Sequence, residues 1–136
     1  MTYCTQQNMI DRFGNDELAE LTDRQQLGEI DTAVLDAAIA DATADIDMYL
    51  AVRYTLPLGV VPGFLTRLSC DIARYYLYDG SAPERVKDAN DAAMKLLHSI
   101  ARGEIDLNVG EASAGAGDVV LYENDSRVFD ESQDWP

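Results

Sequence analysis

The chain has 136 residues, 47% hydrophobic and 26% charged, a composition that fits one globular domain and excludes a wholly disordered chain. It carries 25 Asp and Glu against 10 Lys and Arg, a net charge of −15. That balance argues against a protein that grips DNA or RNA, because such grips rest on cations that neutralise phosphates.

Thr5 precedes a polar and apolar octet and Gly14 follows it. A Thr cap and a closing Gly predict a short helix that buries Met9, Ile10 and Phe13. Residues 15–21 read as one or two further helical turns, with Asp16 and Glu17 placed where the helix dipole favours acids. Residues 22–29 are polar and contain Gly28, so they are expected to form a loop. Asp31 caps the longest predicted element, about Thr32 to Tyr54. Val34, Leu35, Ala38, Ile39, Ala42, Ile46, Tyr49 and Leu50 share one face of it at the helical period. Ala37, Ala40, Ala44 and Ala51 line the opposite face, between Asp36 and Asp47 on one side and Asp41 on the other. Small residues let another backbone approach, from a second helix of this chain or from a neighbouring subunit. Helix propensity alone is the plainer reason for alanine there.

Pro57 and Pro62 must break that helix. A further helix is predicted over about Phe64 to Tyr78, burying Phe64, Leu65, Leu68, Ile72, Tyr75 and Tyr76, with Arg67, Asp71 and Arg74 at ion-pair spacing on its edge. Asp79-Gly80 ends it. Ser81-Ala82-Pro83-Glu84 has the form of a capping box, opening a last helix to about Arg102 that turns Val86, Ala89, Ala93, Leu96, Leu97 and Ile100 inward. Gly103 is placed to close it.

Beyond Gly103 the pattern changes. Glu104-Ile105-Asp106-Leu107-Asn108-Val109 alternates like a half-buried strand. Residues 110–117 are rich in Gly and Ala, a flexible spacer. Residues 119–123 and 127–130 flank Asn124-Asp125-Ser126 as a hairpin would. Residues 104–136 hold nine acids and one base, more than half of the total charge. An arm with so little apolar mass needs a surface to order it, and a lone hairpin is marginal in water. The expected architecture is therefore mainly α, a small bundle of about four helices over residues 1–103, followed by an extended arm with a β-hairpin over 104–136.

Chemistry-bearing constellations are missing. His98 falls on the side of its helix away from the apolar stripe, where it is expected to be solvated. There is no Cys-x-x-Cys, His pair or Glu-x-x-His, so no metal site is expected. Asp88-Ala89-Asn90-Asp91 lacks the Gly and distal Glu of a calcium loop. Asp41 and Asp45 stand one turn apart, and Arg53 points toward the apolar side, where it is expected to snorkel or pair with a carboxylate. The glycines at 110, 115 and 117 have no following Lys-Ser or Lys-Thr and so form no phosphate loop. No catalytic residue and no cofactor are expected, and the chain reads as an assembly component and not an enzyme. No apolar run approaches the ~20 residues of a membrane span, and Met1 to Gln7 has no signal-peptide character. Folding in the cytoplasm is expected, with Cys4 and Cys70 reduced and not bridged.

Residues 3–14, the string Tyr49-Leu50-Ala51-Val52-Arg53-Tyr54-Thr55-Leu56-Pro57-Leu58, the string Cys70-Asp71-Ile72-Ala73-Arg74-Tyr75, and the ending Ser126-Arg127-Val128-Phe129 with Trp135 resemble the Mu-like phage head–tail connector family. Asp130-Glu131 departs from it in being acidic. The resemblance covers nearly the whole chain. It implies a ring-forming adaptor, twelve-fold, in the virion neck below the portal protein. Such a ring joins the portal to the stopper or tail-side neck protein and lines the channel through which genomic DNA passes without specific binding. The family implies no catalytic residues. In that setting Val119, Leu121, Tyr122, Arg127, Val128, Phe129 and Trp135 are the expected contacts of the arm with portal or neighbouring subunit, and Ala37, Ala40, Ala44 and Ala51 the expected subunit contact. A ring of twelve copies would carry about −180 charges, enough to keep phosphates from adhering if they face inward. Assembly would take place in the host bacterial cytoplasm. The competing class is a free acidic regulatory or inhibitor protein that mimics DNA charge and binds a basic partner.

Overall fold

Capping residues set the helix boundaries, and five helices result within residues 2–107, the span described by the computed structural model. Helix α1 (Gln6–Phe13) starts at Thr5, whose hydroxyl accepts from the Asn8 amide while the Asn8 side chain accepts from the Thr5 amide. This reciprocal pair satisfies two amides that the first turn would leave orphaned. Gly14, at φ 90°, ends α1 and leads directly into α2 (Asn15–Thr22). Asp31 caps α3 (Thr32–Leu50) by accepting from the amides of Ala33 and Val34. After the proline-containing connection come α4 (Gly63–Leu77) and α5 (Glu84–Ala101). The mainly α architecture agrees with the sequence reading, and the eight-residue α2 is the fifth helix.

Helices α3, α4 and α5 pack against one another, and α1 and α2 lie across α3. The shared core contains Met9, Leu18, Leu35, Ile46, Leu50, Leu65, Leu68, Ile72, Leu97 and Ile100, all shut off from water. Each such side chain stabilises the fold by about 1.5–3 kcal/mol through the apolar surface that it buries.

Three boundaries differ from expectation. Helix α3 stops at Leu50 and not Tyr54, because residues 51–53 tighten into a turn before the prolines. Helix α5 starts at Glu84 after Pro83, and Ser81 does not cap it; its hydroxyl donates back to the Tyr78 carbonyl and closes the turn after α4. No strand is found among the described residues, and 104–107 form none. The alternation read there is nevertheless physical: Ile105 and Leu107 pack inward while Glu104 and Asp106 face out. What orders this stretch is a helix cap and a tyrosine. The Glu104 amide donates to the Ser99 carbonyl and the Gly103 amide to that of Ile100, the paired bonds of a Schellman ending, with Gly103 at φ 85°.

Candidate functional site

The outer face of α3 is uncovered. Ala37, Ala40, Ala44 and Ala51 are all exposed, so within residues 2–107 no second helix of the chain packs on them. Two larger side chains extend the same stripe. Met48 follows Ala44 by one turn and is 63% exposed, and Val52, just past the helix end, is 67% exposed. Scattered exposed apolar residues are ordinary, but an apolar line directly opposite the buried face of an amphipathic helix is not. The register could have disclosed Met48 from the sequence; attention to small residues alone passed over it.

Carboxylates fringe this stripe on both sides, and neutral donors hold three of them. Gln6 Nε2 donates to Asp36 at 2.8 Å, the Tyr3 hydroxyl donates to Asp47, and the Tyr76 hydroxyl donates to Asp45. A neutral donor orients a carboxylate without cancelling its charge. Burial and the bond to Asp45 push Tyr76 up to about 12, so it remains a protonated donor at any physiological pH. Burial and Asp47 raise Tyr3 in the same way. The chemistry that suits this face is an apolar ridge on a partner with cations or hydrogen-bond donors at its margins.

The last described residues are fastened beside the end of the stripe. The Tyr54 hydroxyl donates to Asp106 at 2.9 Å and accepts from the Leu107 amide at 2.9 Å. Arg53 was expected on the apolar side, as a snorkelling or paired residue. It is exposed in the turn after α3, and its guanidinium lies over Gly103, on the spot a side chain there would need. The reason is the early helix end, which cancels the register by which Arg53 was placed. Residues 106 and 107 are thus tied to α3's end through the Tyr54 side chain. Replacing Tyr54 with Phe should loosen residues 106 and 107, with the cap at Gly103 and Glu104 kept, at a cost of about 1 kcal/mol; faster amide hydrogen exchange at Leu107 with little change elsewhere is the expected readout.

Other polar groups serve the fold. His98 is exposed, as read, and touches Tyr49 edge to face at 4.8 Å, with Nε2 3.1 Å from the Tyr49 hydroxyl. Asp71 and Arg74, expected to pair along α4, instead reach other helices. Asp71 meets Arg12 of α1 at 3.8 Å, and Arg74 makes a two-pronged bond to Glu17 of α2 at 2.8 and 2.9 Å. The predicted arm contacts Val119, Leu121, Tyr122, Arg127, Val128, Phe129 and Trp135 lie outside the described residues, as do the predicted hairpin and Gly/Ala spacer. Among the described residues no helix is long and apolar enough to cross a membrane.

These features define a small, mainly helical protein with one outer helix face left apolar between orienting carboxylates. The chain belongs to the family described as Bacteriophage Mu, Gp36, which matches residues 3–120. It is 34% identical to Gene product J of Escherichia phage Mu over 137 residues, covering 98% of this chain and 97% of that protein. It is 31% identical to the Mu-like prophage FluMu protein gp36 of Haemophilus influenzae over 109 residues, covering 80% and 77%. It is accordingly a Mu-like phage protein.

Proposed function

We propose that this chain is a structural component of the phage neck, an adaptor that assembles as a ring and joins the portal to the stopper or tail-side proteins. The observation that carries this reading is the uncovered α3 stripe. A closed ring needs one pair of dissimilar, complementary patches per subunit. A rigid helix face supplies one such patch, and small side chains allow a close backbone approach. The 104–136 arm is proposed to dock on the portal or on a neighbouring subunit. Strand addition would give such an arm affinity through backbone bonds and register through alternate side chains. Membership of a Mu-like phage family supports the setting, and the acidic charge suits a wall past which DNA must slide.

Deletion of residues 111–136 tests the role of the arm. The described residues 2–107 share one buried core, so the shortened chain should remain helical and unfold cooperatively. Phage carrying the deletion should accumulate filled heads and separate tails. Normal yields of infectious particles from that phage would overturn the arm's part in joining. A free acidic regulator would behave differently: it would copurify with a basic enzyme in a strongly salt-dependent way and not with portal.

A further inference from the structure

Cys4 and Cys70 are both buried, at 1% and 0% exposure, and their sulfurs are 2.9 Å apart. Carbon atoms in ordinary contact are already about 3.5–4.0 Å apart, and sulfur is larger. A disulfide bond is about 2.05 Å long, so closing this gap needs a movement of under about 1 Å. Both are free thiols here. Cys4 lies in the short segment before α1, with Tyr3 bonded to Asp47 on one side and the Thr5 cap on the other. Cys70 lies within α4, next to Asp71, which pairs with Arg12. The two cysteines are 66 residues apart in the chain.

We propose that Cys4 and Cys70 are a modification site: on meeting a small-molecule disulfide they form an intramolecular disulfide that staples the N-terminal segment to α4. The chemistry is thiol–disulfide exchange. Opening of the short segment before α1, the kind of terminal fraying that needs no global unfolding, admits the reagent. Cys70 stays in place within α4 while Cys4 moves with the opened segment, so the uncovered Cys70, as its thiolate, is the attacking group. It forms a mixed disulfide and releases one small thiol. Cys4 then attacks the Cys70 sulfur, the Cys4–Cys70 bond forms, and the second small thiol leaves. Two electrons pass from the protein to the reagent, and the two cysteine protons end on the two released thiols.

The test is to incubate the full-length reduced protein with oxidised glutathione, alkylate remaining thiols under denaturing conditions, and weigh the intact chain. The expected product has lost two hydrogens and carries neither alkyl nor glutathione groups. A digest links the Cys4 and Cys70 peptides. The cross-link closes a long loop, so the unfolded population should fall roughly a thousandfold and the thermal midpoint should rise. Cys4→Ala and Cys70→Ala should each lose the oxidant-dependent shift while keeping the helical circular-dichroism spectrum. A repeat in urea below the unfolding transition removes any limit set by access. Two alkyl groups under both conditions, a lasting glutathione adduct, or a dimer linked through either cysteine would overturn the proposal. An intramolecular bond with no rise in midpoint would overturn the stapling.

Discussion

Replacing Ala44 with arginine is expected to leave the bundle folded and to abolish particle assembly. Ala44 is exposed at the middle of the α3 stripe. Exposed substitutions on a helix ordinarily change stability by no more than about 0.5 kcal/mol, and arginine is nearly as good a helix former as alanine. Asp41 and Asp47 stand three residues to either side, so the new charge finds partners on its own helix. A cost in folding is therefore not expected, and thermal unfolding should be unchanged within error. The long side chain would nonetheless hold any approaching backbone several ångströms away. If this face is the subunit contact, phage carrying Ala44→Arg should lose infectious titre by orders of magnitude, while Ala44→Ser remains near wild type. The same arginine at Ala92, exposed on α5, controls for added charge. Normal titre from Ala44→Arg would remove the α3 face from the proposed joint.

Arg74→Met is expected to have the largest effect on stability. Arg74 and Glu17 form the best-buried ion pair among the described residues, at 14% and 22% side-chain exposure. Tyr78 donates a third bond to Glu17 at 3.0 Å, and the guanidinium lies 4.4 Å from the Phe13 ring centroid. Removing the cation strands a carboxylate with a single neutral donor. Breaking a fully buried pair this way costs 3–5 kcal/mol, and the partial exposure here reduces that to about 2–3 kcal/mol. For a domain of this size the thermal midpoint should fall by roughly 10 °C or more. Adding Glu17→Gln to Arg74→Met should recover part of the loss, because no charge is then left unpaired.

The same pair gives a signed pH dependence. Burial opposes ionisation of Glu17, but the bonds from Arg74 and Tyr78 outweigh it and hold the carboxyl below its ordinary range. Its stabilising contribution is therefore present above its unfolded pKa and is lost as pH falls through the lower folded value. Asp71 acts in the opposite sense. Burial raises it despite the nearby Arg12, so its protonation on mild acidification relieves a penalty. Glu17→Gln should accordingly flatten the acid limb of stability against pH, and Asp71→Asn should steepen it. Denaturant midpoints between neutrality and pH 3 would check both directions.

Local chemistry made much of the fold legible. Thr5, Gly14, Asp31 and Gly103 mark helix ends because each satisfies or permits backbone groups within a few residues, and all four act where they were read. The apolar period of α3 placed Leu35, Ala38, Ile39, Ala42, Ile46 and Leu50 in the core. It also left the alanines outside, since one helix has only one face to bury.

Sequence by itself determined the helical class, the two faces of α3 and the change of character after Gly103, because periodicity and capping are short-range properties of the chain. Only the tertiary structure decided which groups meet across it. Arg74 turned to Glu17 and not along its own helix, Tyr54 took the Leu107 amide in place of a partner strand, and two thiols 66 residues apart came to rest side by side. Such pairings depend on how whole helices pack, and no local pattern of residues encodes the distance between two of them.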